Sequence, residues 1–341
     1  MKKSAQIHKA LTIFAYTVML TGMTLLLAVV FRYPQNHLIP RQMIPGVGIC
    51  VIVLLAAGAL WNKIYFLIGK RTPLYLLALA IFGVLLYITS LSRQGNENTL
   101  VDYTYVYRDA MNLATGGTLE YTDYFVTYSN NLKPMLLLSV WFRVAVLLGI
   151  SPFHFVLLRN VLLVLLVVWA CGYLTEQKGD CRWRFPILLT FAFLLPLWDM
   201  VSVFYTDSMS FGLGILALAL LKKAGSTKTN KGKILWSVLA GVTTILAIIW
   251  KITAIIPLIA GAMILLWQRE KADRRVLMQY AAAAIVFGVG LQLWANTYDV
   301  TRKAAVTANP VISWVALGMK EDGSWTNNTE PVSYTHLTLP T

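Results

Sequence analysis

Asp102, Lys133, Asp207 and Lys251 stand out as charged side chains in a chain that is 57% hydrophobic and only 13% charged. Two acids with two amines suit a particular chemistry. A carboxylate takes a proton from a hydroxyl nucleophile or holds a divalent cation. An ammonium neutralises a phosphate as a point charge. Near the hydrocarbon boundary of a membrane, each is costly unless it is paired or faces a polar cavity. Convergence of the four on one membrane face would mark a site for a charged ligand, a phosphate held at the bilayer surface. Asp199 and Tyr205 flank Asp207, and Arg159 lies at the start of a neighbouring apolar run.

Taken singly, each residue has an ordinary reading. Lys133 and Lys251 could snorkel from span ends. Asp207 could cap a helix beginning at Ser208, and Asp102 could be a solvated loop acid. Arg143 and Arg159 suit interfacial anchors. The functional reading therefore depends on the elements that carry these residues.

Apolar runs long enough to cross about 30 Å of hydrocarbon fall at 10–31, 43–61, 73–91, 156–175, 185–203, 204–221, 234–250, 252–268 and 276–296. Lys and Arg in short loops orient them. Lys2, Lys3 and Lys9 place the N-terminus in the cytoplasm, and Lys63, Lys70 and Arg71 place the second loop there. The acidic stretch 92–133 lies outside. The segment 134–149 is apolar but short and is interrupted by Arg143. Read as a span, it would expel Lys222, Lys223, Lys228, Lys231 and Lys233 from the cytoplasm. Read as a helix lying in the outer interface, it keeps every later basic loop inside. The expected fold is an all-α polytopic transmembrane bundle of about nine spans, with interfacial helices in the first large outer loop.

The expected organisation is N-terminal spans over 1–91, an outer loop over 92–149, a transmembrane core over 150–296 and a second outer loop from 297 to 331. Residues 332–341 look like one reading frame of a sequencing-library adapter and are expected not to be natural sequence. Within the first outer loop, 103–115 reads as a surface helix closed by Gly116-Gly117.

Composition excludes several functions. A mean hydropathy of +0.64 is that of a polytopic membrane protein. The net charge of +14 belongs to cytoplasmic loops, with no basic patch interleaved with aromatics for nucleic acid. Cys50, Cys171 and Cys181 show no disulfide pattern. There is no histidine cluster for zinc, no phosphate-binding glycine loop and no HExxH motif. Gly212-x-Gly214 reads as close helix packing.

In order along the chain come Asp102, Tyr105, Ala110 and Gly116-Gly117, then Tyr124-Phe125, Tyr128-Ser129-Asn130-Asn131 and Lys133-Pro134. They are followed by Tyr205-Thr206-Asp207, by Lys251 before an Ile-Pro span, and by Trp314 and Leu317-Gly318-Met319. This order resembles the GT-C superfamily of membrane glycosyltransferases, in the branch of protein O-mannosyltransferases and lipid A aminoarabinose transferases. Ser129 stands where bacterial members carry proline, and Tyr103 where many carry a second acid.

The resemblance implies a sugar donor on polyprenyl phosphate and transfer at the outer face of a bacterial inner membrane. It implies that Asp102 is the catalytic carboxylate and Asp207 the second acid, with Lys133 and Lys251 on the lipid phosphate. Arg159, Asp199 and Tyr205 would support them. A divalent cation, if used, would sit between Asp102 and Asp207. Acceptor and sugar stay open: glycan, lipid or protein. The rival reading is a transporter or lipid flippase, for which Pro196 and Asp199 speak most.

Overall fold

The computed structural model describes residues 72–91, 101–176, 180–268 and 274–307. The expected spans at 10–31 and 43–61 and the adapter-like tail lie outside the described residues. The chain divides into two compact units, 1–71 and 72–341, and everything below concerns the second.

The described residues form helices and no strand. Five helical stretches are long and apolar enough to cross a membrane: Thr72–Leu91 (α1), Pro152–Thr175 (α5), Thr206–Ser226 (α8 and α9), Asn230–Trp250 (α10) and Arg274–Ala295 (α12). Their outward faces are apolar. On α12, Met278 and Val286 are both 72% exposed, and α1 exposes Leu76, Leu77, Ile81 and Ile88. Apolar belts of this size belong in hydrocarbon rather than water, as in a membrane-embedded protein.

Hydropathy placed the remaining runs but not their breaks, and nine spans are not reached among the described residues. The run at 185–203 is two short helices, Arg184–Phe193 (α6) and Leu195–Met200 (α7). Leu194 leaves helical geometry at φ −78° and ψ 79°, just before Pro196, which has no amide to extend the ladder. The run at 204–221 is divided into Thr206–Ser210 (α8) and Leu213–Ser226 (α9). Gly212 joins them at φ +62°, where a Cβ would lie 2.5 Å from Val167 of α5. A third run begins with a 3₁₀ turn at Ile252–Ile255 and continues as Ile256–Gln268 (α11). At its start the Ala254 carbonyl lies 2.1 Å from where a Gly214 Cβ would be.

The bundle has two chemically distinct ends. At one lie the basic loops with Arg182, Arg184, Lys222 and Lys223. Lys222 of α9 donates to the Tyr173, Leu174 and Glu176 carbonyls at the end of α5, at 2.9, 3.0 and 3.0 Å. An ammonium here answers the free carbonyls and the negative end of the helix dipole. Arg184 pairs with Glu176 beside it, and the Tyr75 ring of α1 meets Phe185 edge-on. The other end holds the N-terminus of α5, Tyr205, Asp207 and Lys251. There, too, Tyr87 of α1 hydrogen-bonds His154 at 3.0 Å.

The segment between α1 and α5 is built around Val101–Ala114 (α2) lying against Leu132–Leu147 (α4). Both helices close with the same glycine motif. In α2, Gly116 adopts φ +86°, and the Gly117 amide returns to the Asn112 carbonyl at 2.8 Å. In α4, Gly149 adopts φ +67°, and the Ile150 amide returns to Ala145 at 2.9 Å. Arg143 donates at 2.7 Å to the Leu113 carbonyl, so it caps α2 rather than standing as a free interfacial anchor. At 16 residues, α4 is shorter than the five stretches above, which run from 20 to 24 residues. Thr122–Thr127 (α3) and a 3₁₀ turn at Ser129–Asn131 lead into it, and Asp299–Thr307 (α13) packs on α3.

Candidate functional site

Asp102 stands in the first turn of α2, exposed at the end of the bundle opposite Lys222. Two phenols from separate elements aim at its oxygens. Tyr124 of α3 donates to Oδ1 at 2.9 Å. Tyr205, just before α8, donates to Oδ2 at 3.3 Å. Asn131 closes the ring: its Nδ2 donates to the Tyr124 hydroxyl at 2.7 Å, and its Oδ1 lies 3.3 Å from the Tyr205 hydroxyl. The Tyr205 proton thus has two acceptors within reach. Asn131 is 2% exposed, so its amide is a fixed strut, and Asn130 Nδ2 completes its acceptor at 3.2 Å.

Both phenols are pushed well above the ordinary tyrosine range. For Tyr124, burial is the main cause, with neighbouring Tyr205 and the Asp102 carboxylate adding to it. For Tyr205, burial leads again, followed by Asp102 and more weakly by Asp207. Each therefore keeps its proton and remains a donor, which holds the carboxylate in one orientation with its outer face open.

Asp207 lies two residues beyond Tyr205, inside α8. It does not cap that helix. Tyr205 holds the cap position, and Asp207 pairs with Lys251. Lys251 terminates α10, where its amide bonds Ala247 at 2.9 Å and its backbone turns extended. The pair is half open, with side-chain exposures of 40% for Lys251 and 55% for Asp207. Lys133 follows Asn131 by two residues at the start of α4. It is half-buried, and burial holds its ammonium below the ordinary lysine range. Among the described residues Lys133 makes no ion pair.

Arg159 lies inside α5 and reaches α8. Its guanidinium donates to Asn160 Oδ1 at 2.9 Å and to the Met209 carbonyl at 3.3 Å, and lies 5.8 Å from the Trp141 ring centroid. It therefore props the helix that carries Asp207. Asn160 does the same for the preceding turn, donating to the Val201 carbonyl at 2.9 Å. Asp199 is exposed on α7, where its carbonyl accepts from Ser202 at 3.1 Å.

Asp102 and Tyr205 are thus joined directly, and Asp207 with Lys251 adjoins them through the Tyr205–Asp207 backbone. Tyr124 and Asn131 entered the sequence reading only as part of the family-like order, with no role at the site, and Asp109 was given none. Asp109 is fully buried and accepts from the Glu120 and Tyr121 amides at 2.8 and 3.0 Å. Burial raises its carboxyl, while those two amides pull the other way. It pins the chain after α2 and so sets where Tyr124 falls. The traces in the sequence were Tyr124-Phe125 and the polar cluster Tyr128-Ser129-Asn130-Asn131 directly before Lys133.

The donor set is a poor match for a resident cation. Among the described residues no three metal-ligating side chains cluster. Both Asp102 oxygens already accept from phenols and Asp207 is paired with Lys251, so a cation would have to displace one of these partners. No known family model matches the chain, and neither does any curated protein or solved structure compared with it.

Proposed function

We propose that the chain is a membrane glycosyltransferase of the GT-C type. It moves a sugar from a polyprenyl-phosphate donor to an acceptor hydroxyl at the outer face of a bacterial plasma membrane. In this reading the N-terminus is cytoplasmic, the bundle has about nine spans, and α4 lies in the outer interface. One observation carries the reading: an exposed carboxylate, Asp102, is aimed by two protonated phenols at the same end of the bundle as Asp207, Lys251 and Lys133.

Asp102 takes the proton of the acceptor hydroxyl as its oxygen attacks the anomeric carbon. The bond from that carbon to the phosphate oxygen breaks, and the electron pair leaves on the phosphate. Negative charge gathers there, and in this reading Lys133 and Lys251 neutralise it. Lys251 is shared with Asp207, so phosphate and Asp207 compete for one ammonium. Lys133 has no such competitor among the described residues. Attack on the face opposite the leaving phosphate inverts the anomeric centre.

A transport path would favour ionisable groups and broken helices inside the membrane. Arg159 and the breaks at Leu194 and Gly212 fit that description. Yet the Arg159 guanidinium is bonded to a main-chain carbonyl and a side-chain amide, which makes it a strut rather than a gate. The site acids and lysines sit at helix ends.

The deciding experiment is Asp102→Asn in the full-length protein, reconstituted in liposomes with a polyprenyl-phosphate sugar and candidate acceptors. Transfer should fall by roughly 10²–10⁴-fold while insertion and thermal stability are kept. Transfer at the wild-type rate would remove Asp102 from the chemistry.

A further inference from the structure

Beside the Asp102 ring lies a cleft of about 470 Å³, lined by Tyr105, Glu120, Tyr121, Thr122, Asp123 and Tyr124. We infer that this cleft is the acceptor subsite and that it takes a neutral saccharide, an inference that rests on the transferase reading.

The lining has the chemistry a sugar ring requires. Tyr105 is packed between two further rings, 4.7 Å from Tyr121 and 4.5 Å from Tyr124 between centroids. Aromatic bodies with polar tips offer apolar surface to the C–H face of a pyranose and hydrogen bonds at its rim. Glu120 and Asp123 supply carboxylate oxygens, acceptors for neighbouring hydroxyl groups. A few placed polar groups on an aromatic wall is the usual make-up of a small-ligand site, and the volume falls in the usual range of roughly 300–1,000 Å³.

Charge distinguishes a neutral polyol from a cation. Two carboxylates and three tyrosines would also suit an ammonium. Here, however, the Arg108 guanidinium donates to the Tyr121 hydroxyl at 3.0 Å, which sets one positive charge beside the wall against its two carboxylates. The wall is also held in place. The amides of Glu120 and Tyr121 are both fixed by the buried Asp109 carboxylate.

Position ties the cleft to the chemistry. Tyr124 is shared: it lines the cleft, and its hydroxyl donates to Asp102. A sugar lying on Tyr105 and Tyr121 is one side chain from the base.

The test measures binding without turnover. Full-length protein in nanodiscs is titrated with mannobiose, cellobiose and chitobiose, with a serine- and threonine-bearing peptide, and with tetramethylammonium. Saturation-transfer NMR reads binding, and a parallel transfer assay includes donor lipid. A saccharide should bind, and Glu120→Gln, Asp123→Asn and Tyr121→Ala should each weaken it at least tenfold. The two acid substitutions preserve shape on exposed side chains, so the result does not rest on Tyr121→Ala folding. Asp102→Asn should bind the saccharide as wild type does while losing transfer to it. Lack of saccharide binding, or binding indifferent to all three substitutions, would overturn the assignment. So would capture of the peptide or of tetramethylammonium in its place. Saccharide binding that responds to the substitutions, in a protein that moves no sugar under any condition, would refute an acceptor role by removing the transferase itself.

Discussion

Lys133 differs from Lys251 in what surrounds it. Lys251 shares its charge with Asp207, whereas Lys133 is half-buried and its ammonium is held below the usual range by lost hydration. Burial disfavours the charged form, so the proton leaves at lower pH than from a free lysine. A neutral amine no longer attracts phosphate. Binding of polyprenyl phosphate should therefore weaken as pH rises through a value below the ordinary lysine range. A bound phosphate opposes the shift, so the fall in the complex should come at higher pH than the titration of the free protein. Lys133→Arg should keep its charge throughout and move the fall upward. Equilibrium binding in nanodiscs across a pH series measures both, and an unmoved fall would assign the loss to another group.

At this scale the sequence showed which acids and lysines stood out and in what order. It held Tyr124 and Asn131 within the family-like order but not their place around Asp102, and it gave Asp109 no role. The Tyr205–Asp102 bond joins residues 103 apart, and no local pattern marks a phenol for so distant a partner. Asp109 read as one more acid of the outer loop because the Glu120 and Tyr121 amides that it accepts from lie 11 and 12 residues further on.

Among the elements, two glycines at positive φ offer a controlled comparison. Gly116 ends α2 at φ +86° with nothing within 4 Å of an added Cβ. Gly116→Ala should cost backbone strain alone, about 1–2 kcal/mol. Gly212 carries similar strain, but its added methyl would meet both Val167 methyl groups at 2.5 Å. Gly212→Ala should add an overpacking cost of about 1–3 kcal/mol. Thermal unfolding in detergent should rank Gly212→Ala clearly below Gly116→Ala. Equal losses would mean that α8 and α9 have room to move away from α5.

The same glycine explains what hydropathy could not reveal. A window average is unchanged by one residue leaving helical geometry, so 204–221 read as a single rod. The break at Leu194 is hidden in the same way, although Pro196 was visible. The turn after α2 was legible because Gly116-Gly117 is a local signal with a local cause. The ends of α2 fell within two residues of the expected 103–115.

At the scale of the molecule, among the described residues, the basic loops and the candidate site occupy opposite ends. Lys222, Lys223, Arg182 and Arg184 gather where α5 ends, and Asp102, Asp207, Lys133 and Lys251 gather where it begins. In the proposed topology, which follows the positive-inside tendency, the first end is the cytoplasmic one. Reporter fusions after Asn131 and after Ser226 should therefore report opposite sides of the membrane. Fusions reporting the same side would break the topology on which an outer-face reaction depends. The asymmetry was legible because loop charge is a property of short segments. The number of crossings was not, because it depends on how broken helices pack.

Two cations fasten α5 to the stretch beside it, and they do so reciprocally. Lys222 of α9 grips the carbonyls that finish α5, while Arg159 of α5 grips the Met209 carbonyl of α8. Each stretch lends a charge to the other's main chain, one near either end. The result is a girder: α8 and α9 cannot slide along α5 without breaking bonds at both fastenings. Asp207, two residues before Met209, is thereby locked in register with α5, and Lys251 has to come to it.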